Sequence, residues 1–253
     1  MDLQLAGKVA LVTGGSHGLG RAICLSLAAE GVKVGINYHR NPEKTAALIA
    51  EIRERFGVEA AGALGDIAVE ADVERMFAAL ADALGPVEIL VNNAAVCPVG
   101  PITELSEADW NRAFQVNMTG TFLCSRELVR RRKAEGKAGR IVNISSQAAF
   151  LGSQSGKAPY DASKGAIVAF TISLARELAP LGFGVNCVAP GFMYTEMLAP
   201  FIDANREKFE SRVPLARIAA LEEVADVVTF LASPRASYMT GATVDVSGGL
   251  AMH

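Results

Sequence analysis

Tyr160 and Lys164 stand four residues apart in Tyr160-Asp161-Ala162-Ser163-Lys164, and on a helix that spacing places both side chains on one face. A phenol beside an ammonium can move a proton: free tyrosine titrates at about 10, and a neighbouring positive charge favours its anion. The same spacing also arises where a lysine stem merely packs on a ring. What decides between these readings is the set of elements that would carry other reactive groups to the pair.

A second segment with chemical content lies near the start of the chain. Lys8 to Thr13 reads as a β-strand and Leu19 to Glu30 as a helix, joined through Thr13-Gly14-Gly15-Ser16-His17-Gly18-Leu19-Gly20. Glycines between a strand and a helix let backbone N–H groups approach a pyrophosphate, and the helix start adds favourable partial charge. The Gly-x-x-x-Gly-x-Gly spacing differs from the Gly-x-Gly-x-x-Gly fingerprint. Strand before and helix after nonetheless give it the context of a dinucleotide cradle.

The elements needed to position these groups follow from hydrophobic patterning. Short β-branched runs alternate with longer helical periods, the mark of an α/β, Rossmann-like, doubly wound parallel sheet with helices on both faces. Further strands fit Val32 to Asn37, Ile89 to Val91, Ile141 to Ile144, Val185 to Val188 and Thr243 to Val246, and long helices fit Glu107 to Lys133 and Ala158 to Leu181. No repeat or linker divides the chain, so residues 1–253 are expected to form a single domain.

Composition excludes several classes. With 253 residues, 51% of them apolar, the chain can bury a large core, and its net charge of −3 argues against nucleic-acid binding. No apolar run reaches the roughly 18 residues of a membrane span, and the first residues show no basic leader, so a cytoplasmic location is expected. Cys24, Cys97, Cys124 and Cys187 form no Cys-x-x-Cys pair, and His17, His39 and His253 lack metal-ligand spacing. No metal site is expected. Cys97, which follows Asn92-Asn93-Ala94-Ala95, is placed to line a pocket.

Taken in order, Thr13-Gly14-x-x-x-Gly18-x-Gly20, Asn92-Asn93-Ala94-Ala95, Asn117, Ser146, Tyr160-x-x-x-Lys164, Pro190-Gly191 and the ending Ser247-Gly248-Gly249 resemble the short-chain dehydrogenase/reductase family across essentially the whole chain. The resemblance implies that Tyr160 acts as general acid in carbonyl reduction and as base in the reverse direction. It implies that Lys164 lowers the tyrosine pKa and bonds the nicotinamide ribose, that Ser146 holds the substrate oxygen, and that Asn117 positions a water in the proton relay. Ser146 lies one residue further from the tyrosine than the family pattern, which places an inserted residue in a loop from Gln147 to Pro159.

The resemblance also implies a cofactor site. Gly14, Ser16, His17, Gly18, Leu19 and Gly20 would cradle the pyrophosphate; Tyr38, His39 and Arg40 would face the adenosine ribose; Asp66 and Ile67 would frame adenine. Asn93 and Ala94 would lie along the cofactor together with Tyr160 and Lys164, and Pro190, Gly191, Met193 and Thr195 would close on the nicotinamide. An acid after the second strand favours NAD and a base favours NADP. The segment Gly35-Ile36-Asn37-Tyr38-His39-Arg40-Asn41 has no acid, so NADP(H) is favoured, with NAD(H) as the alternative and Arg40 as a merely solvated cation the counter-reading.

A variable lid is expected over about 192–213, given apolar character by Phe192, Tyr194, Met197, Leu198 and Phe201. The pattern is most like 3-oxoacyl-carrier-protein reductases and related carbonyl reductases, which implies a carbonyl or alcohol substrate, including carrier-protein or coenzyme A thioesters. Sugar and secondary-alcohol dehydrogenases share nearly the same motifs. A non-catalytic dinucleotide sensor is the alternative of another class. Arg130-Arg131-Arg132-Lys133 reads as a basic helix end complementing the helix dipole, or as a docking site for an acidic carrier. Relatives commonly form homotetramers through the two long helices and the last strand.

Overall fold

The protein is described here by a computed structural model covering residues 1–153, 156–196 and 198–252. Seven parallel strands form one sheet in the order β3-β2-β1-β4-β5-β6-β7. They are β1 (Val9–Val12), β2 (Lys33–Tyr38), β3 (Ala60–Leu64), β4 (Ile89–Asn92), β5 (Arg140–Ile144), β6 (Gly184–Pro190) and β7 (Thr243–Val246). The order reverses between β1 and β4, which opens a crevice beyond their carboxyl ends, the place where such sheets take ligands.

The strands separate two cores by simple alternation. On β1, Ala10 and Val12 face a cluster with Ile23 and Leu27 of α1 (Gly18–Ala29) and Val224 and Val228 of α9 (Leu221–Ala232). Val9 and Leu11 face the opposite cluster, with Phe77 and Leu80 of α3 (Glu70–Leu84), Leu128 of α5 (Gly120–Ala134) and Leu178 of α7 (Ala158–Leu178). Burial on both faces accounts for the unbroken apolar runs of the central strands. The remaining helices are α2 (Pro42–Phe56), α4 (Glu107–Phe114), α6 (Ala148–Leu151) and α8 (Ala199–Glu210).

Three elements differ from the pattern read in the sequence. Ala60-Ala61-Gly62-Ala63-Leu64 has low intrinsic β-propensity, yet it pairs with β2 from Val34–Ala60 to Tyr38–Leu64. The helix expected from Glu107 to Lys133 contains a π-helical turn, Gln115–Thr119, between α4 and α5. The segment from Gln147 to Pro159, expected as loop, begins with the single turn of α6; its Gln154 and Ser155 lie outside the described residues.

Polar residues inside the strands tie the sheet to its helices. Asn92 donates to Asn143 Oδ1 at 2.8 Å and to Ser125 Oγ at 3.0 Å, while Asn143 donates to Thr171 Oγ1 at 2.9 Å. Four elements, β4, β5, α5 and α7, are thereby held in one arrangement. Asn143→Ala strands buried partners and is expected to lower the unfolding free energy by about 1–3 kcal/mol. A urea-denaturation midpoint matching that of the unmodified protein would contradict this role.

Candidate active site

Helix α7 starts with proline in its first turn, where a missing N–H costs nothing. Tyr160 follows, and Lys164 lies one turn on. The Lys164 side chain is buried and donates to the Ile144 carbonyl at the end of β5, 2.7 Å away. Its Nζ is 5.5 Å from the centre of the Tyr160 ring. Burial pushes Lys164 down to about 8.

The same burial pushes Tyr160 up to about 12, with a hydrogen bond to Ser146 pulling the other way and the charges of Cys97 and Asp161 adding to the rise. The expected depression of the tyrosine pKa by Lys164 is therefore not present in this arrangement. Desolvation of the phenolate outweighs it, and the ammonium is directed at a backbone carbonyl. Tyr160 consequently holds its proton and stands as an acid.

Geometry separates the two adjacent serines. Ser145 is buried and donates to the Lys164 carbonyl at 2.8 Å, so its hydroxyl is committed to docking α7. Ser146 is half-buried and bonds Tyr160, while its Oγ accepts from Ala148 N at 3.2 Å. The second serine is the one beside the phenol.

Asn117 sits on the π turn, fully buried. An extra residue in that turn aims its amide sideways, where Oδ1 accepts from Val96 N at 2.8 Å and Nδ2 donates to Val96 O and Ser163 Oγ, each at 2.9 Å. The side chain thus binds the loop after β4 and α7 rather than its own helix. Cys97, the next residue in that loop, is half-buried, and its thiol is pushed up by burial under the opposing influence of Lys157 and Lys164. Cys97 in turn contributes to the raised pKa of Tyr160.

The glycine turn lies at the same edge of the sheet. Helix α1 begins after His17 with no side chain capping its N–H groups, which leaves them available to an anion. A Cβ on Gly20 would stand 2.2 Å from Gly14 O, so only glycine lets the helix start approach the turn. His17 is exposed and its Nδ1 lies 3.1 Å from Ser16 Oγ. Leu19 is buried beneath the turn.

Two polar residues outside the predicted set shape this cradle. Thr13 Oγ1 accepts from the N–H groups of Asn93 and Ala94 at 2.9 and 3.1 Å, and Asn93 Nδ2 donates to Thr13 O and Gly14 O. Asn37, buried at the end of β2, accepts from Gly14 N at 3.2 Å and donates to Ala63 O and Gly65 O. Its signal in the sequence was a polar residue inside a strand with both faces covered.

Tyr38 ends β2 half-buried, and beyond it His39 and Arg40 are exposed. Asp66 receives His39 Nδ1 at 3.5 Å and Arg112 at 3.4 Å, and Ile67 is buried against Gly120. Pro190 ends β6, and Gly191 passes so close to Ser247 that a Cβ would stand 2.7 Å from its Cα. Met193 bridges to Ala219, and Thr195 turns into the approach to α8. All the predicted site residues thus collect at the carboxyl edge of the sheet. The basic run at the end of α5 does not stand free: Arg130 meets Glu70, Arg131 meets Glu127, and Arg132 meets Glu135. Among the described residues no His, Cys, Asp and Glu cluster could hold a metal, and no helix is long and apolar enough to cross a membrane.

A doubly wound sheet with a glycine cradle at its switch point and a tyrosine–lysine pair beside it defines a nicotinamide-dependent oxidoreductase. A family model described as enoyl-(acyl carrier protein) reductase matches residues 14–251. The 3-oxoacyl-(acyl-carrier-protein) reductase FabG of Aquifex aeolicus is 40% identical over 99% of this chain and 100% of its own. An uncharacterized oxidoreductase of Escherichia coli, YgfF, is 42% identical over 95% of this chain and 99% of its own. A solved structure provisionally assigned as a gluconate dehydrogenase from Agrobacterium tumefaciens superposes with a TM-score of 0.93 at 35% identity, covering 100% of both chains. The chain belongs to the short-chain dehydrogenase/reductase family.

Gly20→Ala is expected to weaken binding of reduced nicotinamide dinucleotide by about tenfold or more, because the methyl meets backbone that cannot step aside. Fluorescence titration of the bound nicotinamide measures it, and unchanged affinity would remove the cradle from this turn.

Proposed function

We propose that the protein is an NADP(H)-dependent carbonyl reductase acting on a 3-oxoacyl thioester, carried by acyl carrier protein or coenzyme A, or on a closely similar ketone. The observation that carries this reading is the protonated Tyr160, bonded to Ser146 and backed by the buried Lys164. When bound, the reduced nicotinamide supplies hydride to the carbonyl carbon. Tyr160 gives its proton to the oxygen, and Ser146 donates a hydrogen bond that holds that oxygen and stabilises its growing charge. Lys164, as a cation, stabilises the phenolate left behind and bonds the nicotinamide ribose. Asn117 fixes the Val96 backbone and Ser163 around the relay and positions its water.

Support for NADP(H) comes from the ribose end of the crevice. No acidic residue lies between Tyr38 and Asn41, and Arg40 forms no ion pair among the described residues. Asp66, the nearest carboxylate after β3, is occupied by His39 and Arg112. The segment 192–213 is read as the substrate lid: Phe192 packs on Phe209 with ring centres 5.0 Å apart, and the Tyr194 hydroxyl donates to Asp203. Met197 lies outside the described residues, and only the backbone of Phe201 is described. The likeness to the assigned gluconate dehydrogenase supports a second reading, oxidation of a sugar or secondary alcohol. Exposed Phe122 on α5 and Ile172 on α7 support a homotetramer built on those helices. We assign the protein to the cytoplasm.

Turnover of NADPH with acetoacetyl thioesters and simple ketones, set beside reduction of NADP by sugars and alcohols, distinguishes the two readings. Tyr160→Phe is expected to abolish turnover and Ser146→Ala to cut kcat by roughly a hundredfold, both with cofactor affinity retained. Silence of the unmodified protein on every substrate despite cofactor binding would favour a sensor instead.

Carbonyl reduction is expected to fall as pH rises through about 8. A depressed lysine pKa means the charge is present below that value and lost above it, while Tyr160, held near about 12, keeps its proton throughout. Lys164→Arg should move the descending limb to higher pH. A profile flat through this range would show that the Lys164 charge takes no part.

A further inference from the structure

One contact near the crevice joins parts of the chain that the sheet keeps apart. The segment after β6 carries Glu196, whose carboxylate accepts from Lys44 Nζ at 2.9 and 3.1 Å. Lys44 belongs to the first turn of α2, which follows β2, and β1, β4 and β5 lie between β2 and β6. Glu196 therefore reaches back across the mouth of the crevice. It arrives among cations: Lys44 holds it directly, and Arg40 stands four residues before Lys44.

A carboxylate drawn to this corner marks it as an anion-binding position, filled from within by the lid. An additional phosphate on the adenosine ribose requires cations at the same end of the crevice. Two anions at one ammonium compete, both for its hydrogen bonds and through their mutual repulsion.

We propose that Lys44 and Glu196 form a cofactor-sensing latch, in which the lid carboxylate holds Lys44 until the 2′-phosphate of NADP(H) takes its place, whereas NAD(H) leaves the pair closed. The inference rests on the NADP(H) reading given above. It assigns Lys44 to the phosphate site and makes Glu196 a determinant of cofactor choice, acting against NADP(H). Both side chains are substantially exposed, so water and salt screen the pair and its effect on affinity is moderate.

Titrating the full-length protein with NADPH and with NADH, by nicotinamide fluorescence, tests the latch. In Glu196→Gln the Kd for NADPH is expected to fall by about two- to fivefold, the range of an exposed ion pair, with the Kd for NADH unchanged. In Lys44→Gln the NADPH Kd should rise by at least that factor, again with NADH unchanged. Shifts that affect both cofactors equally, or no shift in either variant, would overturn the proposal. An unmodified protein that prefers NADH would refute the NADP(H) reading alone, because the latch is read from the change in the NADPH-to-NADH ratio when Glu196 is neutralised.

Discussion

A buried ammonium has to find hydrogen-bond acceptors or give up its charge, and Lys164 answers that constraint at the end of β5. Its Nζ donates to the Ile144 carbonyl, while Ser145, the next residue, donates back to the Lys164 carbonyl. These reciprocal bonds stitch one turn of α7 to one strand end. The orientation of Tyr160, one helical turn away, follows from the stitch, as does the exposure of Ser146 toward the phenol. Asn117 and Ser163 extend the same connection to the π turn and to the loop after β4. Loss of the lysine side chain would thus release a piece of architecture as well as a charge.

The two ends of the crevice use opposite electrostatic designs. At the tyrosine end, burial holds the phenol protonated and brings the lysine down to about 8, so at neutral pH the pair carries the one positive charge of Lys164. At the glycine turn the positive potential comes from uncapped backbone N–H groups and the dipole of α1, which require no side-chain ionisation. Beyond β2 the side chains of Arg40 and Lys44 add positive charge. A long ligand with phosphates at one end and a reactive ring at the other could lie along this edge.

Rigidity at the site has a price in buried polar groups, each of which needs a partner. The Asn92, Asn143 and Thr171 chain, the Thr13 and Asn93 clamp and the Asn37 brace all place amides or hydroxyls inside the sheet or directly beneath its edge. Their bonds join elements distant in sequence, so they are complete only in the assembled sheet. The crevice is consequently shaped by the completed fold rather than by any one loop.

Local periodicity and motif spacing sufficed for the alternation of strands and helices, the glycine turn, and the face shared by Tyr160 and Lys164, because each depends on residues only a few positions apart. The weakly β-prone strand β3 escaped that reading because its partner β2, not its own composition, holds it extended. The π turn escaped it too, since one extra residue in a helical turn leaves no trace in apolar spacing. The commitment of Ser145 to α7, the inward aim of Asn117, the brace at Asn37 and the Lys44–Glu196 contact were decided only by tertiary structure. The pKa values of Tyr160 and Lys164 belong there as well: the sequence supplies their charges and spacing, but the desolvation that outweighs both exists only once the chain has closed around them.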